Sequence, residues 1–505
     1  MSFFKYKEFG TVISKKQCVI VVEGLANCIY GQLVDLGKGS RGMVIGFTEK
    51  NAQVLILKEM GAIGAGDRVA TTLEPFTTPV GTNFLGRIST SLGEPRDGKG
   101  PIKADDHYPI FRDSPPIMSR GPLERSVETG VKIIDSMIPL GCGQRELLTG
   151  DRMSGKTTLG TDTIINQKGK DVICIYVDIG KAEMALKRVT NLFQRHGCLD
   201  YTIIMSAGAS ASQGEQYLAP YVACSLGEYF MYRGKDVFVV FDDFSKHAWA
   251  YRELSLLLGR PPGRNAYPGD IFYLHSQMIE RAAQLDEKRG GGSMTFLPLM
   301  ETLEGDITSY VITNLVSMTD GQICLDLKLF AQGFKPSLDL GLSVSRIGTK
   351  VQWSIMKALT KTYRLDYLQY RELVESTKLS SDISKAVQDQ LKFGAIFIEL
   401  ITQDKDAPVP LEEQVFLYYA HNNKMLMPLS MDQVKEFKRD ISAYLHENAG
   451  ELLKTIRAER KLTDKIKAGI ESNLIGYLAR FIKTEEPVPG QPAAQPAGAG
   501  AKAAS

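Results

Sequence analysis

Eight consecutive residues, Gly150-Asp151-Arg152-Met153-Ser154-Gly155-Lys156-Thr157, fit the spacing G-x-x-x-x-G-K-[ST]. Each fixed position has work to do around a phosphate. The two glycines let successive backbone N–H groups, those of Asp151, Arg152, Met153, Ser154 and Thr158 among them, converge on phosphate oxygens. Lys156 carries a cation to the terminal phosphates, and the Thr157 hydroxyl can ligate magnesium. No group in the run can attack a phosphate. The chemistry it predicts is capture of a nucleotide, not cleavage.

That pattern has meaning only between a strand and a helix. Arg145 to Thr149 can be the strand, and Thr158 to Ile165 can open the helix. Magnesium also needs an acidic partner at the end of a neighbouring strand, and Val237-Phe238-Val239-Val240-Phe241-Asp242-Asp243 supplies one. The apolar run reads as a strand buried on both faces, which places Asp242 in the crevice where α/β sheets bind ligands. Asp243 suits the cap of the next helix better than a metal. The predicted ligands are ATP or ADP with Mg²⁺, the ion on Thr157 and Asp242.

The rest of the chain must position these groups. Its 505 residues allow two to four domains, and its net charge of +2 gives no bias toward nucleic acid or anionic lipid. No apolar run is long enough to span a membrane, and the opening residues lack the features of a signal peptide or presequence. Seven scattered cysteines form no C-x-x-C pair and read as reduced, mostly buried thiols. The histidines, His247 and His275 included, have no second ligand nearby and read as packed or hydrogen-bonded side chains.

Texture divides the chain into three parts and a tail. Residues 1–75 hold short β-rich runs (Thr11 to Ile13, Val19 to Val22, Met43 to Phe47, Val54 to Leu57) broken by turns, as in a small barrel or sandwich. Over 76–352, buried-strand runs (Val172 to Val177, Thr202 to Met205, Val237 to Phe241, Ile307 to Ile312) alternate with helical stretches, which predicts a parallel sheet carrying the phosphate loop. From 353 to 484 the period becomes helical: Ile355, Leu359, Tyr363, Tyr367, Tyr370 and Val374 step by three or four, as do Val434, Phe437, Ile441 and Leu445. These stripes read as the core of a helix bundle. Residues 485–505, rich in Pro, Ala and Gly, read as a disordered tail.

The words around both nucleotide elements resemble the alpha subunit of the rotary F-type ATP synthase. Thr78-Pro79-Val80-Gly81 with Leu85-Gly86-Arg87, and Asp97-Gly98-Lys99-Gly100-Pro101-Ile102, are similar to that family's entry to its nucleotide domain. The segment from Pro261 through Asp270, with Tyr273-Leu274-His275-Ser276 and Glu280-Arg281-Ala282-Ala283, resembles alpha rather than beta subunits, and Gly341-Leu342-Ser343-Val344-Ser345-Arg346 is similar to the stretch with the family's arginine finger.

The resemblance implies an N-terminal β-barrel crown, a central P-loop domain with a parallel sheet, and a C-terminal helical domain. It implies a ring of three alpha and three beta-type catalytic subunits around a gamma-type central stalk, coupled to proton or sodium flow. The chain itself would hold a nucleotide that is not turned over. Arg346 would act in trans on the neighbouring catalytic site, with Ser317 beside it. No nucleic acid is expected, and association with the cytoplasmic face of a bacterial inner membrane would be peripheral.

The chain also departs from the family. Where beta subunits carry a glutamate that positions water, and alpha subunits a glutamine, this chain has Lys181. A donor-only cation cannot polarise water. Lys181 reads either as a first-turn lysine in solvent or as a phosphate contact that in part replaces the metal. Met153 stands for a usual glutamine, Lys335 for the arginine beside the base, and of two glutamines at the adenine pocket Gln403 is kept while the other is Lys405. Phosphate binding is expected to be intact and base recognition altered. The family's helical arm before the β domain is not expected here, which leaves docking of a delta-type stator open and suggests a divergent, specialised rotary ATPase. Two other readings use the same motifs: a catalytically competent ring ATPase of the secretion-motor or Rho-like helicase kind, and a structural paralogue with an empty P-loop.

Overall fold

A computed structural model describes residues 8–377 and 384–482. The predicted tail lies outside the described residues.

Six strands, Glu8–Lys16, Val19–Glu23, Gln32–Asp35, Arg41–Phe47, Asn51–Lys58 and Arg68–Pro75, close into a barrel in the order first, second, fifth, fourth, third, sixth. Closure leaves no open sheet edge. The two-residue period of a strand is plain in Asn51–Lys58: Ala52, Val54 and Ile56 face the barrel interior, whereas Leu55 and Leu57 join the core of the central domain. The seam is fixed by helix Gln213–Met231, whose cap Ser212 donates to the Leu57 carbonyl at 2.9 Å.

The central sheet runs, edge to edge, Val344–Ser345, Gly321–Leu325, Glu146–Gly150, Ser293–Glu301, Asp236–Asp242, Val172–Ile179, Thr202–Ala207 and Ile88–Ser89, with Ala283–Gln284 pairing outside this path. Among the described residues seven consecutive strands, from Gly321–Leu325 to Ile88–Ser89, are parallel. Valine, isoleucine and leucine cover both faces, as a sheet with helices on either side requires. The P-loop helix Lys156–Ile165 lies so close to the Asp236–Asp242 strand that a Cβ at Gly160 would stand 2.9 Å from Val240 Cγ1. Glycine there is what brings Thr157 over the end of that strand.

Among the described residues seven helices follow, Ser354–Thr360, Tyr363–Thr377, Lys385–Ile401, Leu411–Asn422, Met431–Asn448, Gly450–Glu459 and Asp464–Ile482. Their shared core contains Ile355, Leu359, Tyr363 and Tyr367 from one predicted stripe and Val434, Phe437, Ile441 and Leu445 from the other, and it is continuous with one face of the sheet. Among the described residues no helix is long and apolar enough to cross a membrane.

One element differs from expectation. Ile307 to Ile312, read as a buried strand, is a loop entering helix Tyr310–Met318, which buries Val311, Ile312 and Leu315 on one face. The strand that fills the place in the sheet is Ser293–Glu301.

Candidate functional site

The P-loop leaves its strand at Gly150 and turns through two left-handed residues, Met153 at φ 64° and Gly155 at φ 105°, before the helix starts at Lys156. A methionine at positive φ is unusual, and here its side chain is 91 % exposed, so the turn places it at the mouth of the loop. The loop is braced from below. Asp151 Oδ1 accepts from Thr302 Oγ1 at 2.6 Å and from the Gly305 N–H at 2.9 Å, and Arg152 reaches Glu301 at 3.3 Å. The Lys156 ammonium folds back on the Gly150 and Asp151 carbonyls, 2.7 Å from each, and burial lowers its pKa. A ligand phosphate offers the same ammonium a charged acceptor in place of two neutral ones.

Beside the loop, Asp242 is buried at the end of its strand and collects donors on one oxygen. Oδ2 accepts from Thr157 Oγ1 at 2.8 Å and from the Tyr176 hydroxyl at 2.7 Å, and it is in contact with the Lys181 ammonium. Lys181 Nζ also donates to Thr157 Oγ1 at 2.9 Å. Its side chain is 22 % exposed and turned inward, so the solvent reading of Lys181 fails. Asp243 caps helix Phe244–Leu257 by accepting from the Ser245 N–H at 2.7 Å, as expected.

Thr157 and Asp242 do come together, but around an ammonium. Among the described residues Asp242 Oδ1 and Asp178 Oδ1, on residues paired across the two strands, are buried without a hydrogen-bond partner and are acceptors that a metal-bound water would satisfy. Against it, the hydroxyl and the carboxylate oxygen proposed as ligands both already touch a cation. Two unit charges about 4 Å apart repel by about 4 kcal/mol at an effective dielectric of 20, and a dication doubles that. The residues present do not fit a magnesium ion.

On the other side of the loop a cavity of about 320 Å³ is lined by Val131, Met153, Ser154, Gly155, Thr158, Leu159, Asp162, Phe330, Lys335, Gln403, Asp404 and Lys405 among others. Its volume suits a nucleoside. The Gln403 amide is spent on the main chain: Nε2 donates to the Gly130 and Ala407 carbonyls, both at 2.8 Å, and Oε1 accepts from the Lys132 N–H at 3.0 Å. Gln403 therefore shapes the wall and has no donor left for a base. Lys335 and Lys405 are exposed at the rim. Burial raises the Asp162 carboxyl to about 7.

Arg346 lies at one edge of the sheet, directly after strand Val344–Ser345 and two strands from the one that enters the P-loop. Its guanidinium donates to the Thr319 and Val316 carbonyls at 3.3 and 3.4 Å, and among the described residues it makes no ion pair. Ser317, whose hydroxyl donates to the Asn314 carbonyl at 2.7 Å, lines the same open cavity of about 330 Å³ as Arg346.

His247 and His275 are fully buried and pack on Phe244, and among the described residues neither belongs to a cluster that could hold a metal. The cysteines are free thiols, and all but Cys18 are buried.

Residues 130–345 match the nucleotide-binding domain of the ATP synthase alpha/beta family, residues 6–72 match that family's beta-barrel domain, and residues 352–475 match its C-terminal domain. The chain belongs to the ATP synthase alpha/beta family. It is similar to the ATP synthase subunit alpha of Clostridium botulinum (strain Alaska E43 / Type E3), 45 % identical over 479 residues that span 95 % of both chains. It is also 43 % identical over 479 residues to the ATP synthase subunit alpha of Petrotoga mobilis, across 94 % of this chain and 95 % of that one. Family membership makes the central domain a nucleotide-binding one.

Sequence reasoning missed two residues at this candidate site. Tyr176 interrupts the apolar run of strand Val172–Ile179, and a buried phenol demands an acceptor; Asp242 is that acceptor. Phe330 sits in the short helix Leu327–Ala331, where Leu329 is buried but Phe330 stays 44 % exposed on the cavity wall. An excess of apolar residues over one buried face was the available signal.

Proposed function

We propose that this chain is the noncatalytic, nucleotide-holding alpha subunit of a rotary F-type ATP synthase coupled to proton or sodium flow. Lys156 and the P-loop amides hold the phosphates, and the cavity bounded by Phe330, Lys335 and Lys405 takes the base. The observation that carries the reading is Lys181. At the position from which a catalytic subunit would present a carboxylate to water, this chain presents an ammonium already engaged with Asp242 and Thr157. A cation so engaged cannot act as a base.

Catalysis belongs to beta-type neighbours, three of which alternate with three copies of this chain around a gamma-type stalk. This chain contributes Arg346 to the neighbouring site, where charge spreading over the equatorial oxygens of the moving phosphoryl group meets a planar guanidinium. Ser317 orders the phosphate beside it. ATP or ADP is the resident nucleotide, and the assembly lies peripherally on the cytoplasmic face of a bacterial inner membrane.

The test is hydrolysis and binding by the purified chain. Alone it is expected to bind ATP, to lose that binding on Lys156→Ala, and to show almost no turnover. With beta-type and gamma-type subunits it is expected to enter an active alternating hexamer. Robust hydrolysis by the chain alone would establish the catalytic ring ATPase instead, and binding indifferent to Lys156→Ala would establish the structural paralogue.

A further inference from the structure

We propose that the nucleotide site takes a metal-free nucleoside polyphosphate, with the Lys181 ammonium as its built-in counter-ion; the inference rests on the nucleotide-holding reading above. Three observations converge on it.

The ammonium stands on the two groups that a magnesium site would use. Nζ donates to Thr157 Oγ1 at 2.9 Å and contacts Asp242 Oδ2, while the Tyr176 hydroxyl holds the same oxygen at 2.7 Å. An ammonium has three hydrogens, so one remains for a phosphate oxygen.

The lysine is also rooted. Strand Val172–Ile179 ends at Gly180, whose φ of +63° turns the chain and where a Cβ would stand 2.8 Å from Lys246 Cβ. The Gly180 N–H donates to the Ala207 carbonyl and the Lys181 carbonyl accepts from the Ala209 N–H, both at 2.8 Å. The main chain on either side of the lysine is thus pinned to the end of the adjacent strand, and the side chain leaves it toward the P-loop.

Finally, the approach is strongly basic. A second cavity of about 420 Å³ runs from Thr157, Thr158 and Lys181 to Arg188, Arg195 and Lys405, with Asp406 the one carboxylate on its wall. A polyphosphate without its metal carries more negative charge than its magnesium complex, by the charge of the ion. Two ammoniums at the loop and three more cations at the rim complement the free form. Magnesium in this place would have to displace Lys181 from both of its partners.

The experiment is equilibrium binding of ATP to the full chain in excess magnesium and in excess EDTA, for wild type, Lys181→Gln and Lys156→Ala. Bound Mn²⁺ is counted after gel filtration of the ATP-loaded protein. Wild type is expected to bind within about threefold in the two conditions, whereas Lys181→Gln loses on the order of tenfold to a hundredfold in EDTA, the worth of one charge-assisted hydrogen bond, and regains it in magnesium. Recovery in magnesium also shows that the variant is folded. Wild type should carry well under one Mn²⁺ per ATP and Lys181→Gln about one. Wild-type binding that requires magnesium, or a full complement of Mn²⁺ on wild type, overturns the inference and leaves the nucleotide-holding reading intact. ATP binding that is absent in both conditions, or that is indifferent to Lys156→Ala, overturns both.

Discussion

At the scale of single residues, Arg346 and Asp162 give the sharpest tests. Among the described residues the Arg346 guanidinium is held by two carbonyl acceptors at 3.3 and 3.4 Å and makes no ion pair, so it is positioned without being neutralised. In a reconstituted ring, Arg346→Lys is expected to assemble and bind nucleotide normally while steady-state turnover falls by about 10³-fold, because lysine offers one compact charge where the fork holds two oxygens. Asp162 is buried on the wall of the nucleotide cavity with its carboxyl pushed up to about 7. Its unfolded value is about 3.9, so between the two the folded chain binds the extra proton. The associated stability is full below about pH 4 and is lost as pH rises through about 7, by up to about 4 kcal/mol. Asp162→Asn should flatten that slope, read from urea midpoints at about pH 5 and pH 8. Wild-type nucleotide affinity should also fall over the upper part of this range, as a carboxylate appears beside the ligand.

Elements were legible where one force dominated. Continuous apolar runs identified Val172 to Val177, Thr202 to Met205 and Val237 to Phe241, because a strand buried on both faces has no polar residue to spare. The P-loop followed from glycine spacing, and Asp242 from its place at the end of a strand. Ser293–Glu301 was missed: Pro298 interrupts it, and a proline usually argues against a central strand. Ile307 to Ile312 was misread because a short apolar run has no period of its own, and packing against the sheet decided for a helix. Lys181 could be placed near the phosphates but not aimed, since the direction of a long side chain depends on two other strands.

A second tie between elements was invisible in the sequence. Arg281, 1 % exposed, binds Glu228 through Nε and Nη2 at 2.7 and 2.9 Å and caps the Ile110 carbonyl at 2.9 Å. It joins the end of helix Ile271–Ile279 to helix Gln213–Met231 and to the loop after the barrel. Removing Arg281 takes the two-point partner from buried Glu228 and leaves it Arg112, 3.7 Å away. Arg281→Met is expected to destabilise the chain by about 3–5 kcal/mol in urea unfolding, and Arg281→Lys to recover only part of that, lacking the fork.

For the molecule as a whole, the two candidate sites are parts of one sheet. The strand that ends in the P-loop pairs with Gly321–Leu325, and that strand pairs with Val344–Ser345, whose next residue is Arg346. Strands stand about 4.8 Å apart, and the register sets Ser345 level with Gly321 and Glu146, four residues before Gly150, so the arginine lies two strands across and more than about 13 Å along the sheet from the phosphate cradle. A close-packed sheet moves as a plate rather than bending strand by strand. Tightening of the cradle around a nucleotide is therefore expected to arrive at the rim as a tilt of the arginine. A subunit that never turns over its own nucleotide would then act as a mechanical preload, setting the stiffness of the wall against which its neighbour's reaction is carried out.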